Sequence, residues 1–165
     1  MTKNLFLFIF LFLNFSSLLA DDNTHFVDVD LLLNSSNSGK IIIEDLKKIN
    51  SKINSELETQ ENELKIMETD ISKVKNIISE KELQKKINLL RKKIELYRKD
   101  KNKKTQEFNS LKDKKIKDFF TIITPIIESF MKNNSIGIIV DKKNIFIANS
   151  KYDITEEIIK ILNEK

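Results

Sequence analysis

The long middle of the chain carries apolar residues at steps of three and four. On the N-terminal side of this region they are Ile42, Leu46, Ile49 and Ile53, followed by Leu64, Met67, Ile71, Val74 and Ile78. This spacing places the side chains on one stripe of a helix and is the heptad pattern of packed helices. Only Gln60 brings a polar side chain to a core-type position. The pattern predicts a long helix that packs against a second helix.

The apolar stripe changes phase after Ile78, because the next apolar residue is Leu83, five positions on. Between them Ser79 and Glu82 form an S-x-x-E sequence, the capping box that begins a new helix. The stripe then resumes at Ile87, Leu90, Ile94 and Tyr97, lapses through Lys101–Lys104, and returns at Phe108, Leu111 and Phe119. Since neither glycine nor proline marks the break, one continuous helix is the alternative.

Charge favours two helices over one. Residues 44–80 carry nine acidic side chains and six lysines, a net charge of −3, whereas residues 81–117 carry fifteen basic and five acidic side chains, a net charge of +10. Folding the second segment back on the first brings opposite charges together. We therefore predict an antiparallel helical hairpin over residues 44–130, with its tip near 79–81 and arms about 50 Å long. Pro125 is expected to kink or end the returning helix near its base.

Strand patterns lie at both ends of the chain. Thr24–Asp30 alternates as a strand does, and the apolar runs Ile136–Val140 and Ile145–Ala148 flank a short polar turn. Asp153, with Glu156 three residues later, predicts a capped last helix. A two-stranded hairpin is marginal in water by itself, so the C-terminal strands need a further partner.

The first twenty residues read as a secretory signal peptide. Lys3 gives a basic start, Leu5–Leu13 is a solid apolar run, and small and polar residues lead up to Ala20. We expect cleavage after about Ala20 and export to the periplasm. An uncleaved membrane anchor is the alternative. The chain contains no cysteine, so neither disulfides nor thiol chemistry is expected.

Few residues offer catalytic chemistry. Gly39 and Gly137 are the only glycines and lie far apart, which excludes glycine-rich phosphate-binding loops. His25 is the only histidine and has no ligating partners near it, so a structural or solvent-facing role is expected. Asp28 and Asp30 share one face of the predicted strand, but turn and capping roles are expected for them. We predict no enzymatic activity, no cofactor and no metal site.

Three stretches give the chain its resemblance to a known family. They are VDVDLLLNSSNSGKIIIEDL at Val27–Leu46, ELKIMETD at Glu63–Asp70 and IIVDKKNIFIANSKYDITEEIIK at Ile138–Lys160. On these stretches the chain resembles the Skp (OmpH-like) family of periplasmic outer-membrane-protein chaperones. The resemblance spans the whole mature chain, and its specific part lies at the two ends.

The resemblance implies an α+β, predominantly α fold that assembles as a homotrimer. Residues 21–43 and 131–165 would form a small β association body with a C-terminal helix, in which three subunits pool their strands into one barrel. The hairpin of residues 44–130 would hang from this body as a coiled-coil tentacle. The residues expected in the trimer core are Phe26, Ile138, Val140, Ile145 and Ile147.

The returning arm carries a dense run of basic residues. A solvated helix face is the ordinary interpretation of such a run. Nucleic acid is not expected as a partner, because an exported chain rarely meets it and no aromatic residues interleave for stacking. Attraction to acidic clients or acidic lipid is the third interpretation. By resemblance, lipopolysaccharide or another acidic lipid would contact Lys93, Lys103 and Lys104.

The arms also offer apolar residues for binding other proteins, some in the predicted seam and some outside it. The candidate client-binding residues are Ile66, Met67, Ile77, Leu89, Leu96 and Tyr97. The predicted function is an ATP-independent periplasmic holdase, which binds unfolded outer-membrane proteins in a cavity between helical tentacles and prevents their aggregation during transit. The alternative is a structural coiled-coil spacer or tether of the cell envelope with no client.

Overall fold

The computed structural model describes residues 23–164, which are mostly helical. In chain order the elements are β1 (Thr24–Val27), α1 (Val29–Ser35), α2 (Asn37–Val74), α3 (Glu80–Asn133), β2 (Ile138–Asp141), two single 3₁₀ turns (Lys142–Asn144 and Ser150–Tyr152) and α4 (Thr155–Asn163). The predicted α+β, predominantly α fold is confirmed. The predicted signal peptide lies outside the described residues.

Helices α2 and α3 form the hairpin and are joined by residues 75–79. Near the base, Lys115 Nζ lies 2.6 Å from Asp45 Oδ2. Further toward the tip, the Gln60 side-chain amide donates to Asp100 Oδ2 at 2.9 Å. As α2 advances, its partners fall earlier on α3, which makes the helices antiparallel as predicted. Gln60, the polar residue that interrupts the apolar stripe of α2, therefore forms a hydrogen bond across to α3.

A capping box begins α3 at the tip, as the sequence predicts. The Ser79 hydroxyl accepts a hydrogen bond from the Glu82 backbone N–H at 3.4 Å, and the Glu82 carboxylate accepts one from the Ser79 backbone N–H at 3.2 Å. These bonds satisfy backbone donors that the start of a helix leaves free. The phase change in the apolar pattern thus marks the end of one helix and the start of the next.

Helix α3 continues through Pro125 to Asn133, so the helix does not end at the proline. The proline removes one intrahelical hydrogen bond. Ile126, Ile127 and Phe130, which follow it, pack against the apolar core of the body. This packing holds the last turns of α3 in place.

The body at the base of the hairpin contains a two-stranded parallel sheet. Strands β1 and β2 pair from Thr24 with Ile138 to Val27 with Asp141. Parallel strands need a long crossover connection, and here the whole hairpin provides it. One apolar core joins the sheet, the short helices and the base of α3. Its buried residues are Val27, Leu32, Phe119, Ile123, Ile136, Ile154, Ile158, Ile159 and Leu162.

The first strand is shorter than predicted, because β1 ends at Val27 and Asp28 caps α1. The Asp28 side chain accepts a hydrogen bond from the Leu31 backbone N–H at 2.9 Å. Asp30 lies in the first turn of α1, so the two aspartates do not share a strand face. The capping role expected for Asp28 is confirmed.

The second C-terminal strand predicted at Ile145–Ala148 does not form within this chain. A 3₁₀ turn at Lys142–Asn144 carries the chain away from β2. Within residues 23–164, β2 pairs with β1 alone. An isolated hairpin gains too little from its own pairing, which is why these apolar residues stay unpaired here.

The predicted capping box of the last helix is also absent. Helix α4 has Ile154 at its N-cap, and no side chain caps it there. The Asp153 carboxylate instead accepts a hydrogen bond from the Thr155 backbone N–H at 3.0 Å. Asp153 therefore closes a local turn before the helix rather than forming a box with Glu156.

Candidate functional site

Several apolar side chains of the hairpin are exposed to solvent, and four of them lie between residues 66 and 96. Ile66 on α2 and Ile77 in the connecting segment expose 61% and 81% of their surface, and Leu89 and Leu96 on α3 expose 51% and 56%. All four are among the candidate binding residues predicted from the sequence. Because these side chains are not buried between the two helices, they are available to contact another molecule.

Two shallow notches lie between the arms of the hairpin. The distal notch, nearer the tip, has a volume of about 150 Å³ and is lined by Met67, Asp70, Ile71, Lys86 and Leu89. The proximal notch, of about 230 Å³, is lined by Gln60, Glu63, Leu64, Lys93, Leu96, Tyr97 and Asp100. The half-buried candidates Met67 and Tyr97 each line one notch. Each notch combines apolar side chains with a lysine from α3 and a carboxylate from α2.

The two notches are related by a displacement of seven residues on both helices. The corresponding pairs are Leu89 and Leu96, Lys86 and Lys93, Ile71 and Leu64, and Asp70 and Glu63. Met67 corresponds to Gln60, whose amide is held by Asp100 at 2.9 Å. The hairpin therefore presents a leucine, a lysine, a carboxylate and an aliphatic seam residue twice, two helical turns apart.

The exposed side chain of Ile66 on α2 lies on the notched side of the hairpin. Ile66 follows Glu63 by three residues and precedes Asp70 by four, so it shares a helix face with both notch carboxylates. Ile77 lies beyond the end of α2, in the segment that joins the helices at the tip. Since Leu89 and Leu96 line the notches themselves, Ile66, Leu89 and Leu96 lie on this one side.

The three candidate lipid-contacting lysines differ in their surroundings. Lys93 is exposed at the edge of the proximal notch. Lys103 is exposed and lies 3.8 Å from Glu107 on its own helix. Lys104 is half-buried and donates to Glu56 at 2.7 Å. The hydrogen bond from Lys104, together with its positive charge, lowers the pKa of Glu56. Of the three, Lys104 is the one engaged across the hairpin.

The candidate trimer-core residues all belong to the body but differ widely in exposure. Phe26 is buried, and Val140 and Ile145 are half-buried. Ile138 and Ile147 expose 57% and 85% of their surface. An apolar side chain on the surface of a small body is unremarkable when single, but several close together mark an interaction surface.

Two further apolar residues of the body are exposed and were not predicted. Phe146, between Ile145 and Ile147, is fully exposed. Phe120 lines a groove of about 490 Å³ together with Met131 and Ile138. The sequence does contain a signal for Phe146, because Ile145–Ala148 is apolar at successive positions and so has no polar face. For Phe120 it contains none, since neighbouring Phe119 is equally apolar and is buried.

No arrangement in the described residues suggests catalysis. The His25 ring packs edge to face against the Tyr152 ring, with 5.7 Å between the ring centroids. The Nδ1 atom of His25 is buried without a hydrogen-bond partner. Within residues 23–164 no three histidine, aspartate or glutamate side chains are placed to hold a metal ion. Lys142 Nζ lies 3.5 Å from the carboxylates of both Asp28 and Asp153, which ties the two chain ends together.

Along the same part of the chain, no helix is long and apolar enough to cross a membrane. The chain is therefore a predominantly helical protein in which a small β body carries one long helical hairpin. Apolar residues are exposed on one side of this hairpin. The chain matches the family model described as outer membrane protein (OmpH-like) over residues 23–162. It therefore belongs to the OmpH-like family.

The fold is similar to a solved structure of the same type. That structure is the crystal structure of a candidate outer membrane chaperone (OmpH-like) from Caulobacter crescentus CB15. The TM-score is 0.72 with 18% sequence identity, and the match covers 86% of this chain and 84% of that chain. At this identity the likeness concerns the fold. No curated protein sequence matches the chain.

Proposed function

We propose that the protein is an ATP-independent periplasmic holdase for unfolded outer-membrane proteins. The observation that carries the proposal is the exposure of Ile66, Leu89 and Leu96 on one side of a long basic hairpin, with Ile77 exposed at its tip. Membership of a family with a chaperone among its structural relatives supports the same role. With its two glycines far apart in sequence, the chain lacks the loops that hold nucleotide phosphates.

The exposed residues suit weak and reversible binding of unfolded chains. Each exposes only part of its surface, between 51% and 81%, so a client side chain buries only part of an apolar surface on contact. Apolar burial stabilises by roughly 25 cal/mol for each Å², so one such contact is weak and several together are needed. Release would then require no energy source, because a client that folds into the outer membrane withdraws its apolar residues.

The proposed assembly is a homotrimer that shares one barrel. Ile138, Ile147 and Phe146 are exposed in the single chain, next to buried Phe26 and half-buried Val140. Strand β2 pairs with β1 on one edge, so its second edge can accept a strand from a neighbouring subunit. The apolar run Ile145–Ala148 of that neighbour has the composition for it. Three hairpins hanging from such a body would enclose the client.

Acidic lipid or lipopolysaccharide is proposed as a second partner of the basic arm. The exposed side chains of Lys93 and Lys103 suit this role better than Lys104, which is engaged by Glu56. The test is sedimentation with vesicles of acidic or neutral lipid. Lys93→Gln with Lys103→Gln should weaken binding to acidic vesicles, whereas the matched Lys47→Gln with Lys48→Gln should not. If both pairs of substitutions weaken vesicle binding equally, the net charge of the protein accounts for the effect and Lys93 and Lys103 have no special role.

The experiment for the holdase role uses a β-barrel protein unfolded in urea. On dilution, the mature chain without ATP should hold light scattering near baseline. A variant with Ile66→Ser, Leu89→Ser and Leu96→Ser should suppress less aggregation. Ile122→Ser is the control, because Ile122 is 50% exposed on α3 but lies away from the notches. If the client aggregates equally with and without the wild-type chain, the proposal fails.

A structural spacer or tether of the envelope is the second candidate, since a long hairpin is also what a spacer requires. Hydrogen exchange separates the two functions. A holdase gains protection along the notched side of α2 and α3 when unfolded client is added. A spacer shows no change on its arms with client present.

A further inference from the structure

We propose that the two notches together bind an acidic client segment in helical form, with two apolar side chains seven residues apart. This inference rests on the proposed holdase function and specifies what the hairpin recognises. One side chain would occupy the distal notch beside Leu89, and the other would occupy the proximal notch beside Leu96.

The spacing of the notches selects a helix as the occupant. Seven residues on α3 separate Leu89 from Leu96, which is about 10.5 Å along the axis at 1.5 Å per residue. Residues seven apart on a bound helix have the same separation and face the same side. In an extended strand, side chains on one face repeat at about 7 Å and then at about 14 Å. A strand that fills one notch therefore misses the other.

The chemistry of each notch favours apolar side chains with polar flanks. Ile71 and Leu64 of the seam provide the apolar floor, and Leu89 and Leu96 provide a half-exposed wall. This is how amphipathic helices lie in grooves, with anchors at successive turns. Ile66, on the same side, extends the apolar surface beside the notches.

Charge decides between an acidic client and a second copy of the hairpin. Residues 44–80 carry a net charge of −3 and residues 81–117 a net charge of +10, so the hairpin carries +7 in total. Two hairpins would repel each other, whereas an acidic segment is attracted. Lys86 and Lys93 border the two notches on the α3 side, whereas Asp70 and Glu63 border them on the α2 side. Acidic residues of the client would therefore lie toward α3, where they meet these lysines and the basic excess of residues 81–117.

The experiment compares labelled acidic peptides of equal composition by fluorescence anisotropy with the mature protein. The first is a helix former with two leucines seven residues apart. The second has the leucines five apart, on different helix faces. The third has them three apart in a polyproline background, which places them about 9 Å apart on one face. We expect the first peptide to bind about tenfold more tightly than the other two.

Two variants connect the preference to the notches. Leu89→Ser with Leu96→Ser should weaken binding of the first peptide about tenfold or more and remove its advantage over the others. Ile122→Ser should leave all three affinities unchanged. Circular dichroism and solution mass must match the wild type for both variants. If the double variant alone loses helix, Lys86→Gln with Lys93→Gln tests the same notches through their charge.

Equal binding of the three peptides, tighter binding of the polyproline peptide, or an unchanged preference in variants that keep their fold would each overturn the inference. These outcomes are distinct from failure of the proposed function. If wild-type protein suppresses client aggregation while the peptides bind equally, only the helical recognition is wrong. If aggregation is not suppressed at all, the holdase function itself is wrong.

Discussion

Glu56 of α2 and Lys104 of α3 meet across the hairpin, with the lysine Nζ 2.7 Å from the glutamate Oε2. Both residues fall where the apolar stripe of the arms is weak, since the seam lapses around Lys101–Lys104. The hydrogen bond to Glu56 raises the pKa of Lys104, and the same bond lowers the pKa of Glu56. A charged contact therefore holds the arms together where apolar packing does not.

The first prediction concerns the acid sensitivity of this contact. The folded-state pKa of Glu56 lies below its ordinary value of 4.5, so its contribution is present above that pH and is lost as the pH falls through the lowered value. Glu56→Gln should lower the thermal midpoint at neutral pH. It should also reduce the amount by which the thermal midpoint falls between pH 7 and about pH 3. Circular dichroism melts measure both.

The matched control is Glu58→Gln, two positions away on an exposed face. It removes the same charge without removing the contact to Lys104. If Glu58→Gln changes the acid dependence as much as Glu56→Gln does, net charge accounts for the effect and the cross-arm contact does not.

The second prediction concerns the close approach of α1 to α2. A Cβ placed on Gly39 would clash with the backbone carbonyl of Leu33, which a side-chain rotation cannot relieve. Gly39→Ala should therefore cost about 1–3 kcal/mol in the free energy of unfolding, as overpacking does. At Gly137 the nearest atom to an added Cβ is Asn23 Cβ at 3.5 Å, so Gly137→Ala should cost little. Equal denaturation midpoints for the two variants would contradict the close approach.

The third prediction separates two neighbouring phenylalanines. Phe119 is fully buried in the body core, whereas Phe120 is 39% exposed at the groove beside β2. Phe119→Ala should lower the free energy of unfolding by about 3–5 kcal/mol, because it leaves a cavity. Phe120→Ala should cost much less. Chemical denaturation measures both, and a reversed order would mean that the faces of α3 are exchanged at its base.

The fourth prediction concerns Ile138, which lines the groove on β2 and is exposed in the single chain. In the proposed trimer an aspartate here would be an unpaired buried charge, with several kcal/mol of desolvation even after relaxation. Ile138→Asp should therefore give a monomer by sedimentation that keeps much of its helical signal but loses holdase activity. Ile41→Asp, at another exposed apolar position, should keep the mass of the wild type. A trimeric Ile138→Asp protein would place the subunit contact elsewhere.

The helices of the hairpin could be predicted closely from the sequence. The three-and-four spacing from Ile42 to Phe119 and the capping box at Ser79 depend on residues near one another in the chain, because helical hydrogen bonds are local. The exposed positions Ile66, Leu89 and Leu96 also follow from this period, since they fall off the stripe. A second three-and-four series, Lys86, Leu89, Lys93 and Leu96, is likewise present in the sequence and could have indicated the notches.

What the sequence by itself determined is therefore the long helices, their break and the faces they present, all of which arise from short-range spacing. Only tertiary contacts decided which secondary structure forms at the base of α3 and in the C-terminal segment. Pro125 stays within a helix because Ile126, Ile127 and Phe130 pack on the core. Ile145–Ala148 stays unpaired within the single chain because a short hairpin gains too little from its own pairing. Strand pairing and core packing join residues far apart in the chain, and local patterns do not carry that information.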